Sequence, residues 1–192
     1  MCSGQRDKRS AVFLDRDGTL IEDRGNLRCP TEAIFFKNTF EALKRLQERF
    51  LLFIVSNQSG VAEGALTVEK VEQVNGYVVS QLANAGILIT EVYWCPHKRS
   101  DFCQCIKLNP FFLHRAATDY RFNLERSFVI GDHPHDVRFA ENAGARGIYV
   151  LTGHGYKHQH ELRDGELVVQ GIAEAVDWIM CECQTLKTIK EG

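Results

Sequence analysis

No stretch of the 192-residue chain is apolar for long enough to span a bilayer, so no helical membrane anchor is expected. Met1 to Ser10 is polar and lacks the apolar centre of a secretory signal, which points to a cytoplasmic location. A strong charge of either sign is missing too. The formal net charge of -2 gives no reason to expect nucleic acid or an anionic membrane as partner. Repeats, low-complexity tracts and flexible linkers are also absent. Residues 1–192 are therefore expected to form one domain, long enough to bury a full core, with a monomer as the simplest state.

What the chain does have is concentrated in Val12-Phe13-Leu14-Asp15-Arg16-Asp17-Gly18-Thr19-Leu20. Ala11 to Leu14 is a short apolar run rich in β-forming residues and closed by a Gly turn, the pattern of a buried strand. At the mouth of a sheet, Asp15 and Asp17 would face one crevice. Anions crowded there repel each other unless a cation offsets them. A hard divalent cation such as Mg2+, which takes oxygen ligands, suits the pair. An aspartate so placed can also attack phosphorus and become an aspartyl-phosphate. Asp-rich surface turns are common, so the reading depends on partners further along the chain.

Such partners follow in order. Leu51-Leu52-Phe53-Ile54-Val55 is near-continuously apolar, as in a parallel strand covered on both faces. It runs into Ser56-Asn57-Gln58-Ser59-Gly60, where hydroxyls, amides and backbone N–H groups could cradle a phosphate. Another short strand, Ser127-Phe128-Val129-Ile130, ends in Gly131-Asp132-His133-Pro134-His135-Asp136. Between them Lys107 precedes a helix start, where Asn109 is expected to cap and Pro110 to take the first helical position. The ordered set resembles the haloacid dehalogenase superfamily of phosphatases and phosphotransferases. Its four signatures stand here as Asp15-x-Asp17-Gly18-Thr19, Ser56-Asn57, Lys107 and Gly131-Asp132-x-x-x-Asp136, and the resemblance spans Ala11 to Leu151.

Cys95-Pro96-His97 is followed, after a short polar loop, by Cys103-Gln104-Cys105. Three thiolates and an imidazole make a ligand set common in closed tetrahedral zinc sites. One-residue spacers are tighter than those of ordinary zinc fingers, and buried or incidental cysteines would fit the spacing too. The context is similar to the zinc loop of the heptose bisphosphate and histidinol-phosphate phosphatases, where Cys-x-His and Cys-x-Cys bracket a loop just before the motif lysine. A zinc loop over residues 95–105 is expected, and with three of seven cysteines so used, a reducing compartment fits better than a disulfide scaffold. Cys181-x-Cys183 lacks two further ligands nearby and reads as a pair of core or surface thiols.

Strands and helices alternate along the chain. Helices are expected over Asn38–Gln47, from a Thr67 cap to about Ala85, and over Phe111–Tyr120, His135–Ala143 and Ile172–Cys183; further strands are expected over Ile87–Trp94 and Gly147–Leu151. This implies an α/β, doubly wound parallel sheet with helices on both faces and ligands at the carboxyl ends of the strands. Glu22 to Phe35 reads as a small polar flap, and the short intervals after the first two strands leave no room for a large cap domain. The histidines of the 154–160 segment read as a solvated loop from which His154 could approach the site.

The resemblance implies the roles. Asp15 attacks the phosphate, while Asp17 protonates the leaving oxygen and then accepts a proton from water. Lys107 neutralises the transferred group, and Ser56 and Asn57 hold phosphate oxygens; outside the signatures, Arg24 is expected as a further substrate contact. Mg2+ is held by Asp15, the backbone carbonyl of Asp17, and Asp132; Asp136 orients Lys107 or a metal-bound water. Zinc on Cys95, His97, Cys103 and Cys105 is structural. The substrate is a small phosphorylated sugar or polyol, with a heptose bisphosphate first and histidinol phosphate or another sugar phosphate as the alternative; an inactive zinc-stabilised binding protein is the competing class. One departure bears on specificity. Where this branch has Arg-Lys-Pro-Lys-Pro-Gly after the last cysteine, the chain reads Ile106-Lys107-Leu108-Asn109-Pro110-Phe111, and Glu63 stands where a basic residue is usual. A weaker preference for bisphosphates is expected from these losses, unless Arg16, Arg24 or Lys98 compensates.

Overall fold

A computed structural model describes residues 10–188; nearly all of the Met1–Ser10 reading lies outside the described residues. Ser10–Leu14 forms β1, buried throughout. Its alternate side chains enter two different cores. Val12 and Leu14 pack with Leu43, Val74 and Ile179, whereas Ala11 and Phe13 pack with Phe53, Leu113 and Phe139. A strand covered on both faces has no polar side, which is why the run shows no alternation.

The remaining strands are β2 (Phe50–Asn57), β3 (Glu91–Cys95), β4 (Phe128–Gly131), β5 (Arg146–Val150) and β6 (Val168–Val169). They form one parallel sheet in the order β3-β2-β1-β4-β5-β6. The helices are α1 (Thr39–Gln47), α2 (Val68–Asn84), α3 (Phe111–Tyr120), α4 (Pro134–Asn142), the short α5 (Gly155–His158) and α6 (Ile172–Thr188). Residues of α1, α2 and α6 line the first core and those of α3 and α4 the second, so the sheet is doubly wound. The chain winds outward from β1 to β3, then returns to β4 and winds the other way. That reversal opens a crevice at the carboxyl ends of β1 and β4, where open α/β sheets bind ligands.

Several boundaries differ from the sequence-based ones. β2 extends through Asn57, so Ser56 and Asn57 close the strand rather than opening the loop. β3 begins at Glu91, not Ile87, and ends on Cys95 itself. The two-residue β6 was not expected; five residues that include charged Arg163, Asp164 and Glu166 precede it and hide so short a pairing. At α3, Pro110 is the N-cap and Phe111 the first helical residue, and Asn109 does not cap. The Asn109 amide donates instead to the Cys103 carbonyl at 2.8 Å. The 22–35 segment is less polar in effect than in composition. It buries Leu27 and Ala33, and Ile21 bridges to Phe35 at its base. No helix among the described residues is long and apolar enough to cross a membrane.

Candidate active site

β1 pairs with β4 up to its last residue, and the Asp15 amide continues the ladder by donating to the Ile130 carbonyl at 2.9 Å. Asp15 therefore leaves the sheet beside Asp132, which follows β4. Lys107 comes from the segment after β3. Its backbone N–H donates to Asn57 Oδ1 at 3.1 Å, and the Leu108 carbonyl accepts from Asn142 at 2.7 Å. Thus anchored to β2 and α4, Lys107 sends its Nζ to Asp15 Oδ1 and, at 2.8 Å, to Asp136 Oδ1. Asp136 is itself fixed, accepting the His133 N–H at 3.1 Å in the first turn of α4.

Asp15, Lys107, Asp132 and Asp136 are all buried. Burial opposes the Lys107 charge, but Asp136 and Asp15 outweigh it and hold the ammonium above its ordinary range. Burial, with Asp136 and Asp132 close by, raises Asp15 well above the usual carboxylate range against the pull of Lys107. Asp132 is pushed up to about 7, by burial first and by Asp136 next. Three carboxylates around one ammonium leave the crevice short of positive charge. Their oxygens are the donor set of a hard divalent cation, so Asp15, Asp132 and a neighbouring carbonyl fit Mg2+.

Asp132 is wedged between two glycines. A Cβ at Gly18 would lie 2.0 Å from Asp132 Oδ2, and one at Gly153 would lie 2.2 Å from it; both glycines have positive φ, 85° and 55°. The His154 N–H donates to the same oxygen at 2.7 Å. Gly18→Ala should therefore displace Asp132 and lower turnover by about 10²-fold, the scale of a 1 Å misplacement. Phosphate-release kinetics on folded protein would check this, and normal turnover would refute the wedge.

Asp17 is held by its Oδ2. That atom accepts from Arg16 Nε and Nη2 at 3.0 and 2.7 Å and from Gln58 Nε2 at 2.9 Å, with Ser56 Oγ at 3.4 Å. Asp17 Oδ1 is buried with no hydrogen-bond partner. Arg16, 1% exposed, also reaches Asn75 of α2 at 2.6 Å. It is no free cation for substrate, which corrects the expectation that it compensates for Ile106. The sequence reading offered Gln58 to a phosphate and Arg16 to substrate; their use as anchors of Asp17, and the part Asn75 takes in it, rests on contacts that no signature announces. Arg16→Met would leave the Asp17 charge without its buried partner. A loss of about 3–5 kcal/mol is expected by urea denaturation; wild-type stability would show that the pair contributes nothing.

Cys95, His97, Cys103 and Cys105 converge, with their ligand atoms all within 4.8 Å of one another. Cys95 Sγ lies 3.4 Å from Cys103 Sγ and 3.1 Å from Cys105 Sγ, and His97 Nδ1 lies 3.3 Å from Cys105 Sγ. The three cysteines are unbridged. Zinc with bonds near ~2.3 Å would hold sulfurs about 3.8 Å apart, so a modest expansion admits the ion and a tetrahedral thiolate–imidazole set fits it. This is the only such group of His, Cys, Asp and Glu among the described residues, and it leaves out Cys181 and Cys183 on α6.

The other expected site residues are placed as follows. Asn57 turns its side-chain carbonyl to the Lys107 backbone, and Ser56 Oγ accepts from Gln58 at 2.7 Å. Arg24 is exposed and pairs with Glu22 at 2.8 Å. His154 lies at the site through its backbone, while its Nδ1 is 3.2 Å from Asp23 Oδ2.

The fold and the clustered signatures define a haloacid dehalogenase-type hydrolase. The family model described as HAD-hydrolase-like matches residues 104–175. A D-glycero-beta-D-manno-heptose-1,7-bisphosphate 7-phosphatase of Helicobacter pylori (strain J99) is 33% identical over 88% of this chain and 96% of its own length. Its namesake from Haemophilus ducreyi is 30% identical over 89% and 98%. Among solved structures, the D,D-heptose 1,7-bisphosphate phosphatase of B. bronchiseptica, complexed with magnesium and phosphate, superposes with a TM-score of 0.83 at 28% identity, covering 90% of this chain and 99% of that one. The chain belongs to the heptose bisphosphate phosphatase family of the haloacid dehalogenase superfamily and is a phosphatase.

Proposed function

We propose that the chain, as one domain, hydrolyses a sugar bisphosphate in a Mg2+-dependent reaction through an aspartyl-phosphate on Asp15. The observation that carries this reading is the sharing of Lys107 between Asp15 and Asp136 at the β1/β4 crevice. An Asp15 oxygen attacks phosphorus, and the bond from phosphorus to the sugar oxygen breaks. Asp17, entering the step with a proton on Oδ1, the atom its anchors leave unpartnered, gives that proton to the leaving oxygen and later takes one from the water that attacks phosphorus and frees the Asp15 carboxylate. Lys107 draws charge from the transferred phosphoryl group, and Ser56 and Asn57 donate to its oxygens. Held by Asp15, Asp132 and the Asp17 carbonyl, Mg2+ would supply further charge neutralisation.

The four-ligand zinc set has no open position for chemistry, so its role is structural. Free thiols arranged for zinc favour a reducing compartment such as the cytoplasm. The names of the relatives support a heptose 1,7-bisphosphate as substrate. A screen of phosphosugars for phosphate release, with Mg2+ and with a chelator, tests the proposal. Release from a heptose bisphosphate that needs the cation is expected; no release from any phosphomonoester would overturn it in favour of a binding protein.

A further inference from the structure

The zinc loop and α4 meet at a second group of side chains that the catalytic roles leave unused. Arg99, in the loop, lies with Nη2 against the His135 ring, in contact with Nε2 and 2.9 Å from Nδ1. His135 stacks on His133 with ring centroids 4.1 Å apart, and His133 lies 4.6 Å from His158. Glu161 takes His158 at 2.6 Å. Among the described residues, no carboxylate forms an ion pair with Arg99, His133 or His135. A guanidinium keeps its charge at any working pH and offers a planar fork suited to bidentate anion binding. Arg99 is exposed and has only a neutral imidazole for company.

The group is fixed to the catalytic edge. Asp136 holds Lys107 with one oxygen and accepts the His133 N–H with the other, at 3.1 Å. The positions where positive charge was missed in the sequence do not supply it here. Ile106 packs against the second core, Asn109 is tied to the Cys103 carbonyl, and Glu63 is an exposed acid.

We infer that Arg99 and His135 form a subsite for a second anionic group of the substrate, a phosphate or a carboxylate, distinct from the phosphate that Asp15 attacks. This rests on the phosphatase reading above. It places the distal charge contact on the zinc loop's outer turn, ahead of the Cys-x-Cys pair, instead of in the Ile106–Asn109 segment after it.

The test compares kcat/KM for a sugar bisphosphate, for the same sugar with one phosphate, and for a small phosphomonoester carrying a carboxylate. In Arg99→Gln the ratio of bisphosphate to monophosphate should fall about tenfold to a hundredfold, the worth of one charge-assisted hydrogen bond. His135→Gln should lower it less, and Arg99→Lys should restore part of it. A fall confined to the bisphosphate or to the carboxylate-bearing substrate supports the subsite and identifies its anion. An unchanged ratio for both in Arg99→Gln would overturn it. Calorimetric binding of the bisphosphate to Asp15→Asn protein, with and without Arg99→Gln, reads the subsite without turnover. A protein that binds in this Arg99-dependent way but never hydrolyses would therefore sink the catalytic reading and keep the subsite.

Discussion

Asp15→Asn is expected to lower phosphate release by a factor on the order of a thousand or more, the scale of losing a nucleophile whose partners act as a unit. The substitution keeps the side-chain shape while removing the attacking oxyanion. It should leave the fold intact, because β1 is held by its two apolar faces and not by the carboxylate. It also removes one of three mutually repelling buried anions, at the cost of one partner of Lys107. Kinetics and thermal denaturation on the same preparation separate the two effects. Full turnover in a folded Asp15→Asn protein would mean that phosphorus is attacked by something else.

Stripping the zinc is expected to produce the second large loss, by a different route. Structural zinc is worth on the order of 10–16 kcal/mol in small zinc-binding peptides. Here a full α/β core stands behind the loop, so global unfolding is not expected. The damage should be local. Cys105 is two residues from Lys107, and Asn109 ties the same segment to the Cys103 carbonyl. A loosened loop lets the Lys107 ammonium drift from Asp15, and about 10²-fold in kcat is expected to go with it. Metal analysis should find about one zinc per chain, and readdition of Zn2+, not Mg2+ alone, should restore activity. A metal-free protein of unchanged kcat and unchanged thermal stability would refute the coupling.

Three of the four ordered signatures were legible because each stands at the end of a strand whose apolar run announces it, and Lys107 because it precedes the Pro110 helix start. Asp15, Ser56 and Asp132 sit, still buried, just past the apolar runs that end at Leu14, Val55 and Ile130. The doubly wound sheet followed from the same runs, β6 excepted. What stayed hidden was contact made at long range. Arg16 reads as a surface cation between two aspartates, yet Asn75, 59 positions away on α2, makes its burial tolerable. Asn109 and Pro110 carry a capping pattern, but the Cys103 carbonyl competes for the Asn109 amide and Pro110 takes the cap position itself. Gly153 carries no signal in the sequence; its meaning is the closeness of Asp132, which only the packing reveals. The 154–160 histidines were ambiguous for the same reason, since whether a histidine loop is solvated depends on what the zinc loop and α4 bring beside it.

The covalent step is tested most directly by acid-quenching the enzyme within a single turnover of a sugar bisphosphate in the presence of Mg2+ and mapping phosphorylated peptides by mass spectrometry. One phosphoryl group on the peptide carrying Asp15, absent in Asp15→Asn and accumulating in Asp17→Asn with a good leaving group, is the predicted result. Turnover with no phosphopeptide at any time point, or with the phosphoryl group on another residue, would contradict it.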